Sequence, residues 1–420
     1  MFDTSKPVNI TFWHRMGAVN QGLLEGYIAE FKKEYPNITV TQSQAGNNYD
    51  TLQTAVMTVL PVNGQPNLVE AYGDHVAGYN GSGSIVPLDK FISNRNFGYS
   101  QAEIDDFIPG FWNEGKAFDN IGTMYTMPFS KSTEALYYNK TFFDTHGLEM
   151  PATPTWDDLA NLARAIKRIP GHENSYPLGY DSEANMYITG SEQKKIPYTS
   201  FKENGSYSVD FNNQAAMDMV KYWRGLTQEG LLTTSQLNGD VYTSDLLKNE
   251  TLFMAVGSTG GARYNFSATF ETAVAPAPQF DLNNKKIIQQ GPNITMFKKG
   301  GKQEMIASWL FMKFLTEPKQ TTDWGTKSGY APVRLSAYDT ETYVNWKNAI
   351  QPRTEQKVFL DSIEMARAQA ENFFVSPAFP RSSKCRAEVG GLVVEILRAA
   401  EITDAKIKEL FQAAYDRVMY

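Results

Sequence analysis

The chain has 420 residues, 42% hydrophobic and 20% charged, enough for large cores and for two or three domains at roughly 150 residues each. A net charge of -7, a pI near 5.4 and the lack of any long basic block argue against nucleic acid or an anionic membrane as partner. The single cysteine, Cys385, excludes an internal disulfide, and no apolar run reaches the roughly 18–20 residues of a membrane span.

Residues 8–13 alternate Val8, Ile10 and Phe12 with Asn9, Thr11 and Trp13, which predicts a strand. Leu24, Tyr27, Ile28, Phe31 and Tyr35 then share one face of a helix that Pro36 stops. Residues 38–42 predict a second strand, 49–60 a second helix and 66–72 a third strand. That order implies parallel pairing through right-handed crossovers, so the N-terminal part predicts a doubly wound sheet. Pro-containing extended residues 125–130 read either as an ordinary loop or as a crossing segment between two lobes. Thr155 is placed to cap a helix running to Arg168, with Asp158 completing a capping box in place of Glu or Gln. Residues 213–229, closed by Gly230, predict another helix. Residues 272–279 repeat the ambiguity of 125–130; if both are crossings, each lobe is built from discontinuous pieces of chain. Helices are predicted over 303–316 and 355–372, and at the C-terminal end, where Ile407, Leu410, Phe411, Ala414 and Val418 share a face.

No catalytic constellation stands out. The histidines His14, His75, His146 and His172 form no pair at helical spacing, so no metal site is expected. Gly257-Ser258-Thr259-Gly260-Gly261 lacks the Lys of a phosphate-binding loop and the pattern of a nucleophile elbow. Asp105-Asp106 and Asp157-Asp158 sit at polar helix starts, where carboxylates are solvated and favoured by the helix dipole. A glycan-acting enzyme would need two carboxylates converging on one bond, and no such pair can be singled out.

Binding is better represented. Trp13, Tyr49, Tyr72 and Tyr330 each follow an apolar strand or sit in a Gly-flanked loop, and ligands of open α/β sheets collect past the carboxyl ends of strands. Gly257–Gly261 follows a predicted buried strand, 251–256, and reads either as a tight turn or as a place where backbone approaches a ligand. The N-terminal MFDTSKPVN has no apolar leader, which leaves two expectations open: a cytoplasmic protein, or an exported one whose leader is removed.

Thr11-Phe12-Trp13-His14-Arg15-Met16 and Phe31-Lys32-Lys33-Glu34-Tyr35-Pro36 resemble the N-terminus of the bacterial extracellular solute-binding proteins of ABC importers. Met127-Pro128-Phe129-Ser130 leading to Leu136-Tyr137-Tyr138-Asn139-Lys140, Pro154-Thr155-Trp156-Asp157-Asp158-Leu159, Phe253-Met254-Ala255-Val256-Gly257 and Ser328-Gly329-Tyr330-Ala331-Pro332-Val333 are similar to the same family. The branch they resemble holds sugar and glycerol 3-phosphate binders. The resemblance implies a type II periplasmic-binding-protein-like α/β fold of two lobes, each a doubly wound sheet flanked by helices. It implies three hinge crossings, near 125–130, 272–279 and 331–334, with an N-terminal lobe of 1–127 plus 275–332 and a C-terminal lobe of 128–274 plus 333–420. It further implies capture of a solute in the interlobe cleft by hinge closure, and delivery to membrane permease subunits. The expected protein is a monomer outside the cytoplasm, periplasmic or lipid-anchored, with no cofactor, no metal and no enzymatic activity.

Matched position by position, the resemblance implies ligand contacts from Trp13, His14, Tyr49, Tyr72, Ser130, Ser132, Thr133, Ser258, Thr259, Gly260, Asn293 and Tyr330, and from Asp74, one place beyond the family's acidic position, which is Gly73 here. An Arg that the glycerol-phosphate binders use against phosphate falls at Ala378; Arg381 or Arg263 is the substitute at hand. With that Arg displaced, a carbohydrate is expected ahead of a glycerol phosphate or glycerophosphodiester. Trp13→Ala is expected to weaken binding at little cost in stability.

Overall fold

The computed structural model describes residues 2–420. In chain order the strands are β1 (Val8–His14), β2 (Ile38–Gln44), β3 (Leu68–Ala71), β4 (Thr126–Pro128), β5 (Ser132–Asn139), β6 (Leu178–Tyr180), β7 (Thr199–Phe201), β8 (Tyr207–Val209), β9 (Leu232–Thr234), β10 (Met254–Ser258), β11 (Thr272–Pro276), β12 (Ile287–Gln290), β13 (Asn293–Met296) and β14 (Phe373–Phe374). The chain forms two compact units. Unit 1 comprises residues up to Lys131, Gly291–Asn348 and Pro377–Ser382; unit 2 comprises Ser132–Gln290, Ala349–Ser376 and Ser383–Tyr420.

Unit 1 is built on a sheet in the order β2-β1-β3-β13-β4. β1 runs parallel to β2 and β3, while β13 is antiparallel to β3 and β4. The helices α1 (Ala18–Glu34) and α2 (Tyr49–Val59) return the chain between the parallel strands, as the period of their apolar residues requires. The two faces of β1 meet different partners because successive side chains alternate. Phe12 packs edge-on against Phe311, which with Phe31 and Phe314 forms an aromatic core on one face. Trp13 turns to the other face, against the cluster that holds Leu52, Val56, Val76 and Tyr79.

Unit 2 has a sheet in the order β14-β12-β5-β10-β6-β9. β10 pairs antiparallel with β5 and parallel with β6, and β11 joins β5 antiparallel over residues 272–276. The capping box at Thr155 is formed: its Oγ1 accepts from Asp158 N at 3.1 Å and its N–H donates to Asp158 Oδ2 at 2.8 Å. The helix it starts, Trp156–Lys167, buries Trp156, which stacks on Tyr180 of β6 with ring centroids 6.0 Å apart.

The backbone leaves unit 1 after Lys131, re-enters it at Gly291 and leaves again after Asn348. Two of the expected crossings are therefore misplaced. Residues 272–279 include strand β11, whose ladder to β5 lies wholly inside unit 2; the crossing falls at Gln290-Gly291. Residues 331–334 are bridged to Lys131 and Phe107 of unit 1, so the third passage falls at the last turn of the helix Glu341–Ala349. The short excursion Pro377–Ser382, which carries Ala378 and Arg381, belongs to unit 1 and was not foreseen. Residue 291 has to be glycine: its φ is +86°, and a Cβ there would lie 1.9 Å from the Ser130 carbonyl oxygen.

Candidate functional site

At one end of the unit 1 sheet, the carboxyl ends of β1 and β3 meet the start of β13. Asn293 pairs with Ala71 on one side and with Pro128 on the other, which brings Trp13, Arg15, Glu70, Tyr72, Asn293 and Ser130 to that end. Tyr49 enters from the first turn of α2, whose N-terminus is fixed by a capping box between Asn48 and Thr51. The Tyr49 and Tyr72 rings meet edge to face at 4.6 Å. The Arg15 guanidinium lies over the Tyr49 ring, 4.5 Å from its centroid. Tyr330 follows Gly329, a left-handed helix cap, and stacks toward Trp324 at 6.4 Å; its hydroxyl lies in the fields of Arg15 and Glu70.

Glu70 is buried among these groups. Its Oε2 accepts the Arg15 backbone N–H at 3.1 Å, and its Oε1 lies 3.5 Å from the Tyr49 hydroxyl. Burial raises its pKa above the usual carboxylate range, and the Arg15 N–H, the Arg15 charge and Tyr49 oppose that rise. For Arg15, burial works against the charge, but the fields of Tyr49, Tyr330 and Glu70 prevail and hold its pKa above the ordinary value. The aromatic group thus surrounds the Arg15 guanidinium and the Glu70 carboxyl, which act on each other electrostatically. Three buried polar atoms at this end have no protein partner: Arg15 Nε, Ser130 Oγ and Asn293 Oδ1. Atoms of that kind call for an occupant or a water.

Several of the expected contact residues have partners within unit 1. His14 is fully buried on the opposite face of β1 from Trp13; its Nδ1 accepts from Met16 N at 3.1 Å and its Nε2 lies 2.5 Å from Gln42 Oε1. Burial lowers its pKa, with Gln42 opposing, and both ring nitrogens have partners inside the unit. Trp13 is only partly buried, but it packs on the core cluster. Trp13→Ala should therefore cost roughly 2 kcal/mol, below a fully buried Trp, contrary to the expectation of a stability-neutral change; a urea midpoint that does not move would restore the ring to the solute alone. Asp74 lies in the first turn of the helix Gly73–Asn80 and accepts the N–H of His75 at 3.0 Å. Arg381 sits in the Pro377–Ser382 excursion, whose Ala378 is buried and packs beside Gly73 and Phe118.

Unit 2 presents a comparable end of its own sheet, formed by the carboxyl ends of β6, β9 and β10 and the start of β5. Ser258 Oγ donates to Ser132 Oγ at 3.2 Å and accepts the Gly260 N–H at 3.2 Å. Thr133 and Thr259 are bonded within the sheet region: Thr259 Oγ1 accepts from Thr133 N at 3.0 Å, and Thr133 Oγ1 donates to the Ile288 carbonyl at 2.8 Å. Past β6, Asp181 Oδ1 accepts both the N–H and the hydroxyl of Thr243 at 2.8 Å. A Cβ at residue 257 would lie 2.7 Å from Asp181 Oδ2, which explains the glycine there. Arg263 is engaged by Glu355 at 3.0 Å and lies over the Phe359 ring, so it is held by its own unit.

Sequence reasoning missed Arg15 and Glu70. A signal for Glu70 was present, a lone charge inside the apolar run Leu68–Ala71. Asp181 had no comparable signal, since one acidic residue after a three-residue strand is ordinary. Among the described residues, no group of three or more His, Cys, Asp and Glu could hold a metal, and no helix is long and apolar enough to cross a membrane. Cys385 is buried in the helix Ser382–Arg398, where burial pushes its thiol up to about 12.

Comparison with known proteins agrees with this architecture. Residues 26–351 match the family model described as "Bacterial extracellular solute-binding protein". The sn-glycerol-3-phosphate-binding periplasmic protein UgpB of Escherichia coli (strain K12) is 24% identical over 340 residues, which cover 79% of this chain and 75% of that protein. Among solved structures, UgpB from Mycobacterium tuberculosis in complex with glycerophosphocholine superposes with a TM-score of 0.77 at 18% identity, covering 98% of this chain and 97% of the other. The sugar-binding protein MalE from Xanthomonas citri superposes with a TM-score of 0.78 at 18% identity and the same coverage, which makes the fold the type II periplasmic-binding-protein fold. With the family matched over most of its length, the chain belongs to the bacterial extracellular solute-binding proteins, which act outside the cytoplasm and deliver small molecules to the permeases of ABC importers.

Proposed function

We propose that the solute is a carbohydrate, bound without chemical change. One observation carries this reading: at the strand ends of unit 1, Tyr49, Tyr72 and Tyr330 gather around Arg15 and Glu70, beside unpaired neutral groups on Ser130 and Asn293. Aromatic faces with neutral donors and acceptors suit a polyhydroxylated ring, whose charge is zero. A dianionic phosphate would need an uncompensated cation, and Ala378 fills the position expected for one. Support also comes from structural neighbours that bind acarbose, maltose and cycloalternan.

The second reading is a glycerol phosphate or glycerophosphodiester. It is favoured by the UgpB relatives and by Arg15, whose Nε lacks a protein partner. A thermal-shift screen with mono- and oligosaccharides, glycerol 3-phosphate and glycerophosphocholine separates the two, since a ligand of the folded state raises Tm by mass action. The expected result is a shift with a glycan that Tyr49→Ala weakens by about a hundredfold in Kd, the loss of a stacked and hydrogen-bonded ring. A shift with the phosphate compounds alone would overturn the carbohydrate reading. Turnover of a bound glycan would overturn binding without chemistry.

A further inference from the structure

We infer that solute binding is coupled to protonation of Glu134, so that the protein holds its solute more tightly in acidic surroundings than in alkaline ones. The inference rests on the reading that Ser132 and Ser258 contact the solute, and it has the same sign for either solute class above.

The register of the unit 2 sheet places Glu134 beside those hydroxyls. Ser258 is directly opposite Glu134 in the β10–β5 ladder, and Gln290 is directly opposite Ser132 in the β12–β5 ladder. Opposed residues share a face of a sheet, as do residues two apart on one strand. Ser132, Glu134, Ser258 and Gln290 therefore lie together on one face, across three neighbouring strands. Ser258 Oγ donates to Ser132 Oγ at 3.2 Å, and Gln290 Nε2 donates to Glu134 Oε1 at 2.9 Å.

Glu134 is 1% exposed, and its hydrogen-bond donors are neutral: Asn185 Nδ2 at 2.7 Å, Gln290 Nε2 and the Tyr180 hydroxyl. The Arg386 guanidinium, from the helix Ser382–Arg398, bonds Asn185 Oδ1 and acts on Glu134 through its field, while Asp181, past β6, opposes it. Gln369 bonds the Glu134 backbone carbonyl and not its carboxyl. Burial accordingly raises the pKa to about 7 against these donors. The surroundings also suit the protonated form. Tyr180 gives its proton to Glu134 Oε2, and beside that hydroxyl the buried Thr189 Oγ1 has no hydrogen bond of its own. When Oε2 takes a proton, it donates to Tyr180 Oη, and the Tyr180 proton turns to Thr189 Oγ1. The two amides stay on Oε1. The protonated state thus pairs an oxygen that the charged state leaves empty.

A solute on Ser132 and Ser258 removes water from this face. A neutral solute deepens the desolvation of the carboxylate, and an anionic one adds like-charge repulsion, so both raise the Glu134 pKa further. A group whose pKa rises on binding takes up a proton. Affinity then falls as pH climbs through the free value and levels off above the bound one.

The test is calorimetric titration of the full chain with maltose, maltotriose and glycerophosphocholine between about pH 5.5 and pH 8.5, in pairs of buffers that differ in ionisation enthalpy. Wild type should take up a fraction of a proton per solute near neutrality and lose about tenfold in affinity across the range, one pK unit of coupling. Glu134→Gln should bind with no proton uptake and with constant affinity. Thr189→Val, which removes the acceptor for the Tyr180 proton, should move the midpoint to lower pH. Ser258→Ala should weaken binding at every pH. If Ser258→Ala binds like wild type, the contact itself is refuted. If Ser258→Ala is weakened but wild-type affinity is independent of pH, or keeps its pH dependence in Glu134→Gln, the coupling alone is refuted. The probe that binds decides the solute class separately. NMR of the glutamate carboxyl carbons needs no solute: a Glu134 signal, assigned by its loss in Glu134→Gln, should titrate near neutrality, and titration in the ordinary glutamate range would overturn the inference.

Discussion

Replacing Lys131 by Met should cost roughly 3–5 kcal/mol of stability, seen as a large drop in the urea midpoint. Lys131 is fully buried, and its Nζ is bonded to the Glu114 carboxylate and, at 2.6 Å, to the Gly291 carbonyl. Asn293 Nδ2 adds a second donor to Glu114 at 3.0 Å. Without the ammonium, a buried carboxylate would keep one amide partner and the Gly291 carbonyl would keep none, and an uncompensated buried charge is what makes such losses large. Burial pulls the Lys131 pKa down while Glu114 holds it up, a sign that the pair only offsets its own desolvation. Removing both charges with Lys131→Met and Glu114→Leu should therefore recover most of the loss, to within about 1–2 kcal/mol of wild type. A single variant as stable as wild type would show that the pair is solvated after all. The arrangement matters because Lys131 is the last residue before the first passage out of unit 1 and Gly291 the first residue on return. One side chain ties the two points together.

The second large effect concerns pH. Glu134 on β5 is buried in unit 2 and accepts from Asn185 Nδ2 at 2.7 Å, from Gln290 Nε2 at 2.9 Å and from the Tyr180 hydroxyl. Burial raises its pKa to about 7; Tyr180, Asn185 and the Arg386 charge lower it, and Asp181 raises it further. In the unfolded chain the same group titrates near 4.3 or so. Between these values the folded protein holds a proton that the unfolded chain has lost, so stability falls as pH rises through that window and levels off above it. The drop attributable to Glu134 should be roughly 3 kcal/mol between about pH 4.5 and pH 7. Glu134→Gln, compared with wild type across that range, should remove this slope. Parallel stability profiles for the two proteins would refute the assignment.

Local sequence signals read well where a residue's role is decided by its chain neighbours. The strand and helix order of the first seventy or so residues, the Thr155 capping box and the helix over 303–316 follow from periodicity, capping and Pro alone, and the structure has β1, α1, β2, α2, β3, Trp156–Lys167 and Lys302–Leu315 in those places. The ring cluster was half legible. Tyr49, Tyr72 and Tyr330 were marked by their places after strands and glycines, yet only the fold shows that Tyr49 and Tyr72 touch. His14 was misread because it adjoins Trp13 in sequence, whereas neighbouring residues on a strand face opposite ways. Residues 272–279 were misread because an edge strand with prolines looks like a connection until its partner β5 is known.

What the sequence determined by itself was the α/β class, the order of elements and the family, all properties carried by short-range patterns. The tertiary structure decided which polar groups are spent and which remain open. Thr133 and Thr259 are hydroxyl residues like Ser130, but they are consumed by the sheet while Ser130 Oγ is left without a partner. The same holds for charge: Arg15 and Glu70 are far apart in the chain, and only the parallel pairing of β1 with β3 brings the Glu70 carboxylate onto the Arg15 backbone N–H and within reach of its charge. Hydrogen-bond satisfaction and charge compensation depend on partners distant in sequence, and for that reason they become readable only once the chain has folded.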